Sequence, residues 1–113
     1  MAALSAAVLA ACGSSGPSGH ASGQVVHTTC QEVSAVLSDG PDPGADPVGY
    51  AFAQIRPLRA ITVSTDRPLQ DAIDGLALAY QRFYDDDGVG SAAKKAVSVA
   101  VARLNSRCPG TAS

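Results

Sequence analysis

The stretch LQDAIDGLALAYQRF, residues 69–83, decides the fold predicted for this chain. Its large apolar side chains recur four, three, four and three positions apart, which places them on one face of an α-helix. Those side chains are Leu69, Ile73, Leu76, Tyr80 and Phe83. Asp66 is the predicted N-cap, with Pro68 tolerated in the first turn, and the sequence DDDGVG at 85–90 ends the helix. So regular an apolar seam is typical of a helix that packs against other helices.

Two helices are predicted before this one. The first begins at Thr29, which has capping-box spacing to Glu32. Its apolar face comprises Cys30, Val33, Val36 and Leu37. The second begins with Asp46 as cap and Pro47 in the first helical position. Its apolar stripe comprises Val48, Ala51, Phe52, Ile55, Leu58 and Ile61. Pro57 removes a backbone hydrogen bond inside that stripe, so the helix either kinks there, as the continuing apolar spacing favours, or ends.

A fourth helix is predicted from a Ser91 cap to Arg107, just before the helix-stopping pair Pro109-Gly110. Its apolar face comprises Ala93, Val97, Val101, Leu104 and Cys108. The connecting loops are short, so consecutive helices should be antiparallel neighbours. The predicted fold is therefore all-α, a small antiparallel four-helix bundle at residues 28–108, followed by a loose tail at 109–113.

The chain has three cysteines, at positions 12, 30 and 108. In an antiparallel bundle of four helices, the start of the first helix and the end of the last lie at the same end. Cys30 and Cys108 occupy those two places, so we predict a disulfide between them. The alternative is a pair of reduced thiols.

Six aspartates fall in the two loops that this topology places at the end away from the disulfide. They are Asp39, Asp42, Asp46, Asp85, Asp86 and Asp87. This acidic tip is either a low-affinity cation site or a set of ordinary solvated charges in turns, where Asp is common. The sequence at 85–90 does not fit an EF-hand, which needs Asp at alternate positions and Glu at the twelfth. His27 precedes Cys30 by three residues, but a disulfide at that cysteine leaves too few ligands, so no metal is expected there.

Tyr50 and Tyr84 are predicted to lie at the same end as the acidic tip. Two aromatic side chains among acids are either a small recognition patch or a pair of ordinary half-buried tyrosines. The aromatic residues Tyr80 and Phe83 follow the apolar seam and are more simply explained as core.

Composition narrows the class of function. The chain has 113 residues, 46% of them hydrophobic, and a net charge of −2, which predicts one domain. The near-neutral balance argues against a nucleic-acid partner. The sequence contains no phosphate-binding or dinucleotide-binding glycine motif, and no histidine inside the predicted bundle that could activate a nucleophile. We therefore expect neither an enzyme nor a bound cofactor.

The first eleven residues, MAALSAAVLAA, carry no charged side chain, and Cys12 follows them directly. The four residues Leu9-Ala10-Ala11-Cys12 resemble the lipobox that ends a bacterial lipoprotein signal peptide. Such peptides normally open with Lys or Arg, so either the free amino terminus supplies the positive charge or the start lies upstream. Other interpretations are an Ala-rich core helix with a buried thiol, and an expression tag. The Gly/Ser/Pro sequence at 13–19 argues against the core helix, and the lipobox argues against the tag.

This resemblance covers residues 1–12 and implies a location. Residues 1–11 would be a cleaved signal peptide, and Cys12 would carry fatty acyl chains such as palmitate. The protein would then sit at the outer face of a bacterial cytoplasmic membrane, or in an outer membrane, with residues 12–27 as a flexible tether. Lipidation of one cysteine leaves an even number for an oxidising compartment. Arg exceeds Lys six to two, and this bias resembles that of small helical lipoproteins from GC-rich actinobacteria.

The sequence thus predicts a membrane-tethered, extracytoplasmic lipoprotein that acts as a non-enzymatic interaction or envelope module. Its expected partners are membrane lipid, through acylated Cys12, and an envelope protein that the sequence does not identify. The alternative function is binding of a small ligand or cation, either at the acidic tip or in a cavity between helices.

Overall fold

The computed structural model describes residues 18–111, with side chains from Gly23 onward. The predicted signal peptide, Cys12 and the first part of the predicted tether lie outside the described residues. The described chain consists of four α-helices and their connections, without a strand. They are α1 (Ser18–Leu37), α2 (Pro47–Ala60), α3 (Arg67–Asp85) and α4 (Ser91–Arg107). No helix in this part of the chain is long and apolar enough to cross a membrane.

The apolar face of α3 is the centre of the core, as its spacing predicts. This helix packs against α2 on one side and α4 on the other, and α1 packs against α2. Its predicted seam residues Leu69, Ile73, Leu76 and Tyr80 are buried, and Phe83 is half-buried against the core. The other helices contribute mostly alanines and medium-sized aliphatic side chains, namely Val33, Ala51, Ile55, Leu58, Ala100 and Leu104.

The first helix begins eleven residues earlier than expected, at Ser18 rather than Thr29. The predicted capping box does not form, because the Thr29 hydroxyl donates to the carbonyl of Val25 at 2.8 Å, inside the helix. A threonine hydroxyl can bond to the carbonyl four residues earlier in the interior of a helix, so Thr29 does not mark the start of α1. The prediction of a flexible tether is therefore wrong for residues 18–27, where Val26 packs against the core.

The second helix runs unbroken through Pro57 to Ala60, so the predicted alternative of a break is wrong. The expected place of Phe52 in the core is also wrong, because this side chain is 57% exposed. The buried face is instead rotated toward Gln54, whose Nε2 donates to the carbonyl of Asp39 at 2.9 Å. That bond ties the middle of α2 to the end of α1.

The side chain of Gln70 makes two hydrogen bonds to the backbone of the connection between α2 and α3. Gln70 accepts from the amide of Val63 at 2.6 Å and donates to the carbonyl of Ile61 at 3.2 Å. Ile61 and Val63 are both buried, so this β-branched segment closes one end of the core in an extended conformation. Asp66 then caps α3 by accepting from the amide of Leu69, as the sequence predicts.

The fourth helix keeps its predicted bounds, but its cap differs. Gly90, rather than Ser91, is the N-cap residue, and no side chain bonds there. At the other end, the segment expected to be a loose tail forms a turn at Pro109–Thr111, with the amide of Thr111 donating to the carbonyl of Cys108. Residues 112 and 113 lie outside the described chain.

Candidate functional site

Cys30 and Cys108 form a disulfide, as predicted, with their Cα atoms 5.6 Å apart. Cys30 lies within α1 and Cys108 is the C-cap of α4, so the bond joins the first helix to the last. Cys108 is buried in the core, whereas Cys30 is half-buried. Since the bond is between two of the three cysteines, Cys12 is the one that remains.

Most of the acidic-tip side chains are engaged in local turn and capping bonds. Asp39, Asp42 and Asp46 accept from the backbone amides of Gly40, Gly44 and Gly49 at 2.8–3.0 Å. Asp85 accepts from the Gln81 side chain. Among the described residues, no three of His, Cys, Asp and Glu lie together as a metal site.

The turn at residues 85–90 ends α3 and contains the acidic-tip residues Asp85, Asp86 and Asp87. Asp86 is the C-cap, and Asp87 adopts a left-handed conformation with φ of 57°. The amide of Gly88 donates to the carbonyl of Phe83 at 2.9 Å, so this is a Schellman-type end. Gly88 has φ of 72°, and a Cβ there would lie 2.9 Å from Val48 Cγ2. The turn therefore lies against the start of α2, close to the Asp46 cap.

The two tyrosines proposed as a patch have different partners. The ring of Tyr50 is half-buried and packs edge-on against Tyr80, with centroids 5.9 Å apart. Its hydroxyl donates to the carbonyl of Leu37 at 2.6 Å. Burial raises the pKa of both Tyr50 and Tyr80 above the usual value of 10.0, most strongly at Tyr80. This pair is part of the structure that joins three helices.

The second tyrosine belongs to an exposed aromatic pair that the sequence pattern did not indicate. Tyr84 is 40% exposed, and its ring centroid lies 4.8 Å from that of Phe52. Phe52 follows the apolar spacing of α2, which predicts a position in the core. The pairing of two residues 32 positions apart, on different helices, is a consequence of helix packing that local spacing does not reveal.

A crevice lies between the end of α1 and helices α3 and α4, beside Tyr50 and Tyr80. Its volume is about 420 Å³. The lining includes Leu37, Ser38, Tyr50, Tyr80, Ser98 and Val101. The hydroxyls of Ser38 and Ser98 each donate to the carbonyl four residues earlier, and the hydroxyl of Tyr50 in α2 donates to the carbonyl of Leu37 in α1. These hydroxyl oxygens retain lone pairs, so their remaining hydrogen-bonding capacity is as acceptors.

Comparison of the chain with protein-family models, with curated proteins and with solved structures gives no significant match.

Proposed function

We propose that this protein is a lipid-anchored, extracytoplasmic module that works by contact with another envelope protein and not by catalysis. The observation that supports a lipid anchor is the disulfide between Cys30 and Cys108. It accounts for two cysteines and leaves the third directly after the lipobox sequence Leu9-Ala10-Ala11. Disulfides persist in oxidising compartments, which agrees with export.

The test of the anchor is labelling of cells with palmitate. The wild-type chain should take up label and stay with the membrane fraction, and Cys12→Ser should abolish the label and release the chain. The matched control is Ser14→Ala, which changes a neighbouring residue and should leave both unchanged. Absence of label from the wild-type chain would refute the anchor.

The Phe52–Tyr84 pair supports the contact half of the proposal, because exposed aromatic side chains are enriched where proteins bind one another. Replacing both residues by Ser should reduce co-purification of a partner from native membranes while the unfolding midpoint changes little. If the unfolding midpoint changes and the partner still co-purifies, the Phe52–Tyr84 pair stabilises the fold and does not bind the partner.

We also infer that consecutive helices run in opposite directions. Two contacts support this. Tyr50, early in α2, lies against Tyr80, late in α3, and Arg107, at the end of α4, pairs with Asp66, at the start of α3. Spin labels at Arg59 and Asp85 should then be about 25 Å apart, close to the length of α3. A distance near 10 Å would refute the arrangement.

The second candidate function is binding of a small ligand between helices, and the crevice beside Tyr50 and Tyr80 favours it. Val97 lines the same crevice, so Val97→Trp should fill it. Titration with an amphiphilic fluorescent dye such as anilinonaphthalene sulfonate should show binding to the wild-type chain that this variant weakens. Equal binding by both chains would exclude the crevice.

A further inference from the structure

A groove of about 410 Å³ lies between α3 and α4, and neither Tyr50 nor Tyr80 lines it. Small residues from both helices line it, namely Ala72, Gly75, Ala79, Ala92, Ala96 and Ala100. Two larger apolar side chains also line it and are about half exposed, Leu78 at 46% and Val99 at 50%. The groove is therefore an exposed, mostly apolar surface with small side chains from both helices.

The charged residues along this groove are all basic. Arg82, Lys95 and Arg103 line it, and no acidic residue does. None of the three forms an ion pair within the described chain, whereas Arg107 pairs with Asp66 at 3.4 Å. The groove thus has a local positive charge in a chain whose net charge is −2.

None of the three acids of α3, Asp71, Asp74 and Asp85, lines the groove, and within the described residues none forms an ion pair with its cations. Asp74 accepts from Gln70, and Asp85 accepts from Gln81. The fourth helix, SAAKKAVSVAVARLNSR, contains four basic residues and no acid. Two of these basic residues, Lys95 and Arg103, line the groove.

Gly75 is a second feature of this surface. It lies in the middle of α3, where glycine costs about 1 kcal/mol of helix stability relative to alanine. A Cβ at this position would meet no atom within 4 Å. Packing within the domain therefore does not require a glycine here, and its effect is to widen the groove that it lines.

We propose that this groove binds an amphipathic helix of a partner protein that presents small apolar residues flanked by acidic ones. Lys95 and Arg103 are eight residues apart on α4, which is about 12 Å along the axis. The matching acids on the partner should then be seven or eight residues apart. This inference specifies the partner chemistry of the contact module proposed above, and it rests on that proposal.

Charge and shape favour this occupant over the alternatives. A second copy docked face to face would bring two sets of three cations together. The segment at residues 1–11 has no acid to pair with Arg82, Lys95 or Arg103. A bilayer surface is flat and would leave the concave part of the groove unfilled.

The experiment uses the full chain with the disulfide intact and Cys12→Ser to prevent lipidation. The probe is a labelled synthetic helix of about 18 residues, five turns, with an Ala/Leu stripe and Glu pairs seven residues apart. Fluorescence anisotropy should show saturable binding. The same peptide with Lys in place of Glu should not bind.

Two variants test the site itself. The combined change Arg82→Gln, Lys95→Gln and Arg103→Gln should weaken binding on the order of tenfold, since exposed ion pairs are worth a few-fold each. The control Arg56→Gln, Arg59→Gln and Lys94→Gln removes the same charge elsewhere and should have little effect. Gly75→Leu should weaken binding as strongly without lowering the unfolding midpoint.

Three results would overturn the proposal. One is peptide binding that is not saturable or that the groove variant and the control variant weaken equally. Another is binding to phosphatidylglycerol vesicles, and not to the peptide, that the groove substitutions abolish. The third is self-association in sedimentation experiments that Gly75→Leu abolishes. None of these results bears on palmitate labelling, so failure of this inference and failure of the lipid anchor are distinguishable.

Discussion

Tyr50 shows at the scale of a single residue how this small core is held together. The last carbonyls of a helix have no partner within that helix. The hydroxyl of Tyr50 in α2 donates to one of these, the carbonyl of Leu37 in α1, while its ring packs on Tyr80 in α3. One side chain thus joins three helices.

Tyr50→Phe tests this hydrogen bond. It should lower the free energy of unfolding by about 1 kcal/mol, because the ring contact remains and the carbonyl of Leu37 loses its donor. Urea unfolding measures the change. Tyr84→Phe is the matched control, since its hydroxyl has no hydrogen-bond partner within residues 18–111, and an equal loss there would contradict the assignment.

Tyr80 predicts how stability depends on alkaline pH. Burial, and then the neighbouring Tyr50, raises the pKa of Tyr80 above the usual value of 10.0. As the pH rises, Tyr80 therefore loses its proton at a lower pH in the unfolded chain than in the folded chain. The free energy of unfolding is then unaffected by this group below about pH 10 and decreases as the pH rises further. Urea unfolding midpoints should fall above about pH 10 in the wild type and fall less in Tyr80→Phe. Identical pH profiles would contradict this.

At the scale of helices, local sequence predicted the N-caps of α2 and α3, but neither the start of α1 nor the N-cap of α4. Asp46 and Asp66 each lie just before a proline in the first turn, and both cap their helices. Thr29 and Ser91 are weaker signals, because a hydroxyl also bonds within a helix, as Thr29 does with the carbonyl of Val25. The first helix includes residues before Thr29, and among them Val26 packs against the core.

Asp66 combines a cap and an ion pair, and two substitutions separate these effects. Its Oδ1 accepts from the amide of Leu69 at 3.0 Å and lies 3.4 Å from Nη2 of Arg107. Asp66→Ala should cost about 1–2 kcal/mol of unfolding free energy. Asp66→Asn keeps a capping oxygen and should recover most of that, because partly exposed ion pairs are weak. Thermal unfolding compares the two, and equal losses would assign the effect to the charge.

At the scale of the whole molecule, the disulfide closes most of the chain into one loop. Cys30 and Cys108 are separated by 78 positions. The core contains few large side chains, and the chain has 4% aromatic residues and no Trp. A restraint on the unfolded state is therefore a large part of the stability of this domain.

Reduction of this bond should lower the unfolding free energy by about 4 kcal/mol, from the loop-closure entropy of a chain segment this long. Cys30→Ala with Cys108→Ala should have a similar effect. Urea unfolding with and without reductant measures the first, and the double variant should be insensitive to reductant. A loss below about 1 kcal/mol would mean that packing alone closes the bundle.

The sequence by itself determined the four helices and the apolar seam of α3, because the spacing of apolar residues and aspartate caps act within a few positions of the chain. The cysteine pair then followed from the number of helices, which brings the two cysteines to one end of the predicted bundle. Only the tertiary structure decided that Phe52 lies outside with Tyr84, that Gln54 lies inside, and that α3 and α4 together line a groove with basic residues. Those features depend on how each helix is rotated about its axis. That rotation is set by contacts between residues far apart in sequence, such as Gln54 with the carbonyl of Asp39 and Gly88 with Val48.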